Sequence, residues 1–483
     1  MTTKRPIRVR FAPSPTGYLH IGGARTALYN YLFAQASGGT FILRIEDTDL
    51  ERSKEEYAEA LIADLQWLGI EFTEGPGDNG ADRGAHGPYR QSERLSLYQD
   101  IAEKFIASGK AYYCFLSTAE LAQLSALAES QHKAPHSYHG KYRDLPLDEA
   151  QARVAAGDEY VVRFKNPGWE WKFKDKVRGK VKFPADMVGD FVIMRSNGMP
   201  VYNFCCVVDD HLMEISHVIR AEEHLNNTVR QLMIYHALEA RPPEFCHVSL
   251  LVGADRQKLS KRHGATSVRQ YQTQNYLPQA LVNYLCLLGW SHPQEKDLFS
   301  LAEAAAVFDL TRFNKAPAFY DIKKLEHFNA QHLKRQPDSF LIEEFNKTHQ
   351  FNIQTAAWKL KFVQVFKEKL TSLNDIDTML EDIFSEDIES ADDVQEMLAQ
   401  ESTTLMKVYL AKELALLGQQ ATISAENLEQ WMEQIKGPLG IKGKSLFMGL
   451  RVLLTGRCHG ADLKGLLALT PLSTVRKRFN KIP

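Results

Sequence analysis

Two short segments of the 483-residue chain carry side chains suited to holding phosphate groups. The first is His20-Ile21-Gly22-Gly23, at the junction of a predicted strand and a predicted helix. Helix N-termini present free N–H groups and a positive dipole end, and glycines let a nucleotide approach the backbone closely. The second is Lys258-Leu259-Ser260-Lys261-Arg262, whose cations could neutralise a triphosphate and the charge on departing pyrophosphate. Each segment alone is a weak signal, because glycine pairs at helix starts and solvated basic loops are common.

Residue patterns on either side of these segments predict one α/β fold that a long insertion interrupts. Strand, helix and strand are predicted over 7–12, 21–35 and 40–46, and again over 215–220, 222–239 and 245–252. In such folds ligands collect beyond the carboxyl ends of the strands. Between the two halves, Ser117 and Glu120 form a capping-box pattern, and Asn197-Gly198 predicts a hairpin of strands 190–195 and 200–208. Beyond about residue 340 the patterns are almost wholly helical.

Composition sets limits on the class of protein. The net charge is −2, so contact with nucleic acid would come from local patches and not from the whole surface. The six cysteines are scattered without a paired CxxC spacing, which indicates buried thiols in a reducing, cytoplasmic setting. The N-terminus runs into a charged strand without an apolar signal segment, and no apolar run approaches the ~18 residues that span a bilayer. We therefore expect a soluble cytoplasmic protein without a membrane partner.

The two phosphate-handling segments, in this order at the ends of the two halves, resemble the signature motifs of class I aminoacyl-tRNA synthetases. Further segments resemble the bacterial glutamyl-tRNA synthetase family, and the resemblance covers nearly the whole chain. They include Arg10-Phe11-Ala12-Pro13-Ser14-Pro15-Thr16-Gly17, Arg44-Ile45-Glu46-Asp47-Thr48-Asp49, Gly87-Pro88-Tyr89-Arg90-Gln91-Ser92, Val208-Asp209-Asp210-His211, Val218-Ile219-Arg220-Ala221-Glu222-Glu223 and Gly443-Lys444-Ser445-Leu446-Phe447-Met448.

The resemblance implies a Rossmann-type catalytic domain of the class I synthetases with an α+β insertion, followed by a mostly α-helical anticodon-binding region. The expected division is a first catalytic half over 1–91, an inserted acceptor-end-binding domain over 92–195 and a second catalytic half over 196–253. A stem-contact domain with the Lys-Leu-Ser-Lys-Arg loop is expected over 254–335, and a helical anticodon-binding domain over 336–483.

The implied reaction is the ATP-dependent activation of L-glutamate and its transfer to the 3′ end of tRNA-Glu. An arginine binds a carboxylate with two parallel hydrogen bonds, so Arg10 and Arg220 are expected to hold the side chain of glutamate, and Glu46 its ammonium. The resemblance adds Ala12, Ser14 and Tyr202 as glutamate contacts. It places His20, Gly22, Gly23, Glu223, Leu251, Lys258, Ser260, Lys261 and Arg262 around ATP, with His20 and Lys261 as the catalytic residues. Without the resemblance, Glu46 would more simply be a partner of Arg44.

Metal and RNA contacts are predicted as follows. Some family members hold zinc in the insertion, but here Cys114 is accompanied by Leu116, Tyr142 and Asp144 at the matching positions, so no zinc is expected. A site rebuilt from His132, His136 and His139 is the alternative. Magnesium is expected with ATP, held mostly by phosphates. Lysines alternate from Lys172 to Lys182, and Lys172 and Lys174 are candidate contacts to the tRNA backbone; the alternative is a solvated strand face.

Other functions remain open at this level. Glutaminyl enzymes resemble β-barrel proteins in the anticodon region, which the helical pattern here disfavours. A shortened paralogue that modifies a tRNA base would lack this C-terminal length. A catalytically silent tRNA-binding regulator would lack His20, Lys261 or the arginines, all of which are present. Charging of tRNA-Gln besides tRNA-Glu stays an alternative, and the family suggests a monomer.

Overall fold

The computed structural model describes residues 5–77, 81–132, 140, 142–260, 266–418 and 421–482. The chain forms two compact units. One comprises Met1–Thr273 and Pro278–Ile322, and the other comprises Gln274–Leu277 and Lys323–Pro483. The expected division into four domains over five segments is finer than this and stays a prediction.

The first unit begins with two parallel strands joined by a helix. Strand β1 (Arg8–Phe11) pairs with β2 (Thr40–Leu43), and helix α1 (Ile21–Ser37) connects them; α2 (Glu55–Trp67) follows. Helix α1 ends where Gly38 adopts a left-handed conformation with φ of 59°, and its N–H turns back to the carbonyls of Ala34 and Gln35. The β-α-β arrangement predicted from the sequence is therefore confirmed.

The insertion combines helices with antiparallel strands. Its elements are α3 (Leu95–Ala107), β3 (Ala111–Cys114), α4 (Thr118–Ser130), α5 (Leu147–Ala155), β4 (Val161–Phe164), β5 (Trp171–Asp175), β6 (Gly179–Phe183) and β7 (Phe191–Met194). Strands β3, β4 and β7 form one antiparallel sheet in that order, and β5 and β6 form a separate hairpin. The predicted capping box starts α4: the Ser117 hydroxyl accepts from the N–H of Glu120 at 3.3 Å, and the Glu120 carboxylate accepts from the N–H of Ser117 at 2.9 Å.

The second half of the α/β fold follows the insertion. Its elements are α6 (Tyr202–Leu212), β8 (His217–Ala221), α7 (Asn227–Ala237), β9 (Glu244–Val248) and β10 (Leu251–Val252). Strands β8 and β9 are parallel, with Arg220 opposite His247. Ser216 joins this half to β1, because its N–H donates to the Arg8 carbonyl at 2.9 Å while its hydroxyl accepts from the Arg8 N–H at 2.8 Å.

The hairpin predicted around Asn197-Gly198 is half wrong. The turn is present, since the Arg195 N–H donates to the Met199 carbonyl at 2.8 Å and β7 precedes it. The segment after the turn is helix α6 and not a strand. Its residues from Phe204 to Asp210 are all buried, so the apolar run lacks the one-sided pattern that distinguishes a surface helix from a strand.

The rest of the first unit contains α8 (Val268–Thr273), α9 (Pro278–Leu287), α10 (Leu301–Val307) and β11 (Ala318–Phe319), which pairs in parallel with β10. Short 3₁₀ turns occur at Gln91–Arg94, Glu222–His224, Leu310–Arg312 and Lys367–Lys369.

The second unit is helical throughout its described part, as the sequence predicts. Its helices are α11 (Ile322–Arg335), α12 (Asp338–Phe345), α13 (His349–Asn352), α14 (Ala356–Phe366), α15 (Asp375–Phe384), α16 (Asp392–Leu398), α17 (Glu401–Leu416), α18 (Ala425–Lys436), α19 (Gly443–Thr455), α20 (Leu463–Leu469) and α21 (Leu472–Lys481). A core built around Leu410, Trp431 and Leu450 packs α17, α18 and α19 together. Across the described residues, no helix has both the length and the apolar character needed to cross a bilayer.

Candidate active site

A cavity of about 560 Å³ lies at the carboxyl ends of β1 and β8 and at the start of α1. It contains the predicted site residues Arg10, Ala12, Ser14, His20, Gly22, Gly23, Glu46, Tyr202, Arg220, Glu223, Leu251 and Lys258 in its wall. Ser260 is described but does not line it, and Lys261 and Arg262 lie outside the described residues. The structure thus brings together predicted residues that are more than 200 positions apart in sequence, as the crevice rule for α/β folds anticipates.

His20 caps the first turn of α1 at one end of the cavity. Its Nδ1 accepts the N–H of Gly22 at 3.0 Å, so the proton of the neutral ring is on Nε2, which is a donor. Burial lowers the pKa of His20, and the charge of Lys258 lowers it further. A neutral N–H donor therefore stands beside the free backbone N–H groups of a helix start, an arrangement suited to a phosphate.

Lys258 and Glu223 form an ion pair at the rim of the cavity. The Lys258 Nζ lies 2.5 Å from Glu223 Oε2, and both side chains are largely exposed. Lys258 also forms an antiparallel bridge with Val252 of β10, which fixes the backbone of the basic loop at this point. An incoming polyphosphate can compete with Glu223 for the Lys258 ammonium without disturbing a buried group.

Arg10 reaches the cavity from the end of β1 and is 4% exposed. Its Nε donates to both carboxylate oxygens of Asp210, at 3.1 and 3.3 Å. Burial disfavours the charged guanidinium, but the attraction of Asp210 outweighs it and raises the pKa of Arg10. Arg10 is consequently a permanent cation with a fixed orientation.

Glu46 is both a cavity residue and the partner of Arg44. The Arg44 Nη2 donates to Glu46 Oε1 at 3.0 Å, so the simpler interpretation of Glu46 also describes a real contact. Burial raises the pKa of Glu46, and Arg44 opposes that rise. The second carboxylate oxygen of Glu46 makes no hydrogen bond within the described part of the chain, which leaves an acceptor for a ligand ammonium.

The acidic partners of these arginines come from α6. Asp210 accepts from Arg44 Nη1 at 2.7 Å as well as from Arg10, and Asp209 accepts from Arg94 Nε at 2.6 Å. The Tyr98 hydroxyl and the Gln91 amide also donate to Asp209. Three arginines and three carboxylates are therefore buried together with a net charge of zero: Arg10, Arg44, Arg94, Glu46, Asp209 and Asp210.

Asp209 and Asp210 are part of a motif noted in the sequence, but no role was predicted for them. Charge balance was the signal that could have identified them, because buried arginines require buried carboxylates as partners. The partners are separated by 115 to 200 positions, so spacing could not identify them.

Arg220, at the end of β8, is held on two of its three nitrogens. Its Nε donates to His247 Nε2 at 3.1 Å, and its Nη2 donates to Gln231 Oε1 at 2.8 Å and Thr228 Oγ1 at 2.9 Å. Within the part of the chain that the structure describes, Nη1 is buried and has no hydrogen-bond partner. A buried guanidinium nitrogen without a partner, in a cavity wall, is a donor suited to binding an anionic ligand.

Tyr202 starts α6 and faces the same cavity. Its hydroxyl lies 3.3 Å from His224 Nδ1. Burial, assisted by Arg220, lowers the pKa of His224 to about 4, so that ring is neutral at pH 7. The hydroxyl and the ring offer polar contacts without adding charge.

The other predicted sites lie elsewhere. Lys172 and Lys174 are on the exposed face of β5, opposite Lys182 and Lys180 of β6. Cys114 is buried in β3, while His136 and His139 lie outside the described residues. Among the residues that are described, no three His, Cys, Asp or Glu side chains are grouped to hold a metal ion.

Comparison with known proteins agrees with this geometry. Residues 6–327 match the family described as "tRNA synthetases class I (E and Q), catalytic domain", and residues 330–483 match "Anticodon binding domain". A glutamate–tRNA ligase of Bdellovibrio bacteriovorus is 45% identical, with 98% of this chain and 97% of the relative covered. One from Carboxydothermus hydrogenoformans is 41% identical, with 98% and 99% covered.

A solved structure shows the same architecture. The crystal structure of a glutamate tRNA ligase from Elizabethkingia meningosepticum, in complex with its amino acid, superimposes with a TM-score of 0.88 at 31% identity and covers 99% of this chain and 100% of that one. The match to the catalytic family over two thirds of the chain, joined to the anticodon-binding match over the remainder, shows that the chain belongs to the class I aminoacyl-tRNA synthetases of the E and Q group.

Proposed function

We propose that this enzyme is a glutamate–tRNA ligase, which activates L-glutamate with ATP and attaches it to the 3′ end of tRNA-Glu. The observation that carries the proposal is the cavity in which Arg10, Arg220 and Glu46 face the start of α1 and His20. An amino acid with two carboxylates and one ammonium has the charges that these groups complement. The names of the relatives that match over nearly their whole length give the same substrate.

The amino acid is proposed to bind with its side-chain carboxylate on Arg220 Nη1 and on Arg10. Nη1 is the buried donor without a partner, and Arg10 lies across the same cavity. Glu46 receives the ammonium, with Ala12, Ser14 and Tyr202 as further contacts. The α-carboxylate is then left free to attack the α-phosphorus of ATP, and pyrophosphate leaves.

ATP is proposed to lie against the start of α1. Its phosphates would accept hydrogen bonds from His20 Nε2 and the nearby backbone, with Gly22 and Gly23 allowing close approach, and Glu223, Leu251 and Lys258 complete the wall. Ser260, Lys261 and Arg262 are proposed to join from the basic loop. No side chain acts as the nucleophile, so catalysis consists of positioning and electrostatic stabilisation.

Magnesium is proposed to enter with ATP. In the described cavity, Glu46 is paired with Arg44 and Glu223 with Lys258, so these carboxylates do not form a dedicated metal cage. This fits an ion that is held mainly by phosphate oxygens. Zinc is not expected, and one equivalent of zinc in the purified protein by elemental analysis would contradict that.

The tRNA is proposed to contact the lysine face of the β5–β6 hairpin through Lys172 and Lys174, and to be read by the helical second unit. We further propose a cytoplasmic location, which agrees with six cysteines that are all buried and free, and a monomer, which the family resemblance suggests.

ATP–pyrophosphate exchange tests the proposal, run with tRNA present and with glutamate, glutamine or aspartate. Exchange is expected with glutamate; exchange with glutamine alone, or none, would refute the assignment. Charging assays with tRNA-Glu and tRNA-Gln then decide whether the enzyme also charges the second tRNA.

A further inference from the structure

His247 of β9 is placed to fix the orientation of Arg220. Arg220 Nε can only donate, so His247 Nε2, 3.1 Å away, must be the acceptor and carries no proton. The proton of the neutral ring is therefore on Nδ1, which donates to Asp175 Oδ2 at 2.6 Å. The order Asp175–His247–Arg220 is a chain of hydrogen bonds with one defined direction.

Asp175 is the fixed end of this chain. It is the last residue of β5, and its Oδ1 accepts the N–H groups of Val177 and Arg178, each at 2.8 Å, in the turn that leads to β6. Its Oδ2 also accepts the backbone N–H of His247 at 3.2 Å. The side chains of Asp175 and His247 are both 0% exposed. Because both of its oxygens accept hydrogen bonds, the Asp175 carboxylate is held in one orientation.

The contacts of Arg220 show what this arrangement accomplishes. His247 holds Nε, while Thr228 and Gln231 hold Nη2, so Nη1 is the nitrogen left for the cavity. Loss of the His247 acceptor would leave Nε unsatisfied and allow the guanidinium to rotate about its stem. A two-point contact with a carboxylate requires the fork to be fixed in one plane.

We propose that Asp175 and His247 are a positioning pair that sets Arg220 for the side-chain carboxylate of the amino acid, so that the turn of the β5–β6 hairpin is part of the amino-acid specificity apparatus. This inference rests on the proposed function. Neither residue touches the substrate; both act through Arg220. The same hairpin carries the lysine face proposed to contact tRNA, so one element serves both substrates, the amino acid indirectly through Arg220.

Three variants and a control test the pair in ATP–pyrophosphate exchange. His247→Leu removes both hydrogen bonds, and the KM for glutamate is expected to rise about tenfold or more, while the KM for ATP stays within about twofold. His247→Gln supplies an amide oxygen that can accept from Arg220 Nε and an NH2 group that can donate to Asp175, and it is expected to recover most of the affinity. Asp175→Asn keeps an acceptor without the charge and should raise the KM for glutamate in the same direction by a smaller factor.

His217→Leu is the matched control. His217 is a buried histidine at the start of the neighbouring strand β8, with its own carboxylate Glu244 at 3.8 Å and no contact with Arg220. It should leave both KM values unchanged. Thermal unfolding and the KM for ATP report whether each variant is folded.

The possible outcomes distinguish failure of the proposed function from failure of this inference alone. A wild-type enzyme without glutamate-dependent exchange overturns the proposed function and this inference with it. An active wild type whose His247→Leu and Asp175→Asn variants match His217→Leu overturns the inference alone. The same holds if His247→Gln is as impaired as His247→Leu, because the hydrogen bonds would then be irrelevant.

Discussion

At the scale of single residues, charge balance dominates the site. Arg10, Arg44 and Arg94 are buried with Glu46, Asp209 and Asp210, and a buried charge that loses its partner costs about 3–5 kcal/mol. Arg220 differs, because neutral groups surround it and one of its nitrogens is unpaired. Its missing negative partner is the reason to expect an anionic substrate at this point.

Substitution of Arg220 by alanine tests that expectation. Loss of a buried contact to a carboxylate typically costs about 2–5 kcal/mol, so kcat/KM for glutamate should fall by roughly 30-fold to several thousand-fold, or activation should disappear. Arg195→Ala, which removes an exposed arginine of the same unit, is the control. Unchanged activation kinetics in Arg220→Ala would remove this residue from the site.

Asp64 in α2 is predicted to make stability depend on pH. It is 4% exposed, its Oδ2 has no partner among the described residues, and burial raises its pKa to about 6. The pKa in the unfolded chain is about 3.9, so the folded protein binds more protons between these values, and stability falls as pH rises through this window.

Asp64→Asn removes that dependence. The variant should be about 1–3 kcal/mol more stable than wild type at pH 7.5, with little difference near pH 4, as measured by urea unfolding across this range. Asp100→Asn, an exposed carboxyl on α3, should change neither value. An Asp64→Asn curve that parallels the wild type would contradict the argument.

At the scale of elements, the β5–β6 hairpin shows what alternation in a sequence can predict. Four lysines that alternate along the chain do share one exposed face, with Lys172 opposite Lys182 and Lys174 opposite Lys180. Lys176 and Arg178 follow the same spacing but lie in the turn, where they pair with Glu244 and Glu222. Alternating spacing therefore predicts a shared exposed face only for the residues that lie within the strands, and not for those in the turn between them.

Reversal of charge at Lys172 and Lys174 is expected to weaken tRNA binding and to reduce its salt dependence. Each lost phosphate contact should lower the slope of log K against log salt by roughly 0.7–0.9. The measurement is a binding titration with tRNA at several salt concentrations. Lys104→Glu with Lys296→Glu makes the same charge change at two exposed lysines of the same unit and is the control. An identical slope for the two double variants would favour a merely solvated face.

Helix α6 shows where local patterns fail. The sequence after Asn197-Gly198 predicts a strand because β-branched and aromatic residues follow a strong turn signal. The tertiary environment overrides that preference, since every residue from Phe204 to Asp210 is buried. Asp209 and Asp210 belong to this helix and lie just beyond the predicted strand, so the error in the element left two of the three buried carboxylates without a predicted position.

At the scale of the whole molecule, neither compact unit is a single continuous stretch of the chain. The segment Gln274–Leu277 belongs with the second unit although residues on both sides of it belong with the first. Asn329 of α11 accounts for part of this, because its Oδ1 accepts the N–H of Leu277 at 2.9 Å and its Nδ2 donates to the Thr371 carbonyl at 2.6 Å.

Asn329→Ala is therefore expected to destabilise the second unit. Asn329 is 0% exposed, and its loss leaves the buried N–H of Leu277 unsatisfied and removes the hydrogen bond to the Thr371 carbonyl, at a cost of about 1–3 kcal/mol. Urea unfolding followed by far-UV circular dichroism measures the change. Asn352→Ala, at an exposed position of α13, should have little effect, and equal stability of the two variants would disprove the role of Asn329.

The sequence predicted the two regions and many of the cavity residues because motifs such as Arg10-Phe11-Ala12 and His20-Ile21-Gly22-Gly23 are specific to the family they resemble. It placed the stem-contact domain over 254–335 and the anticodon-binding domain over 336–483, which stays a prediction; the two family matches meet between residues 327 and 330. It missed Thr228, Gln231 and His247, since neutral side chains that hold an arginine have no characteristic spacing and are recognised only when the fold places them beside it.

The balanced set of six buried charges around Arg10 limits how such an enzyme can be re-engineered for an uncharged amino acid. A library that randomises the Arg10 codon alone would leave Asp210 to Arg44, with one buried carboxylate too many, and most members would be lost as misfolded protein before selectivity is screened. Arg220 has neutral neighbours, so its codon is the one that tolerates a change of charge. Diversification should therefore begin at Arg220, and Arg10 should be recoded only together with Asp210.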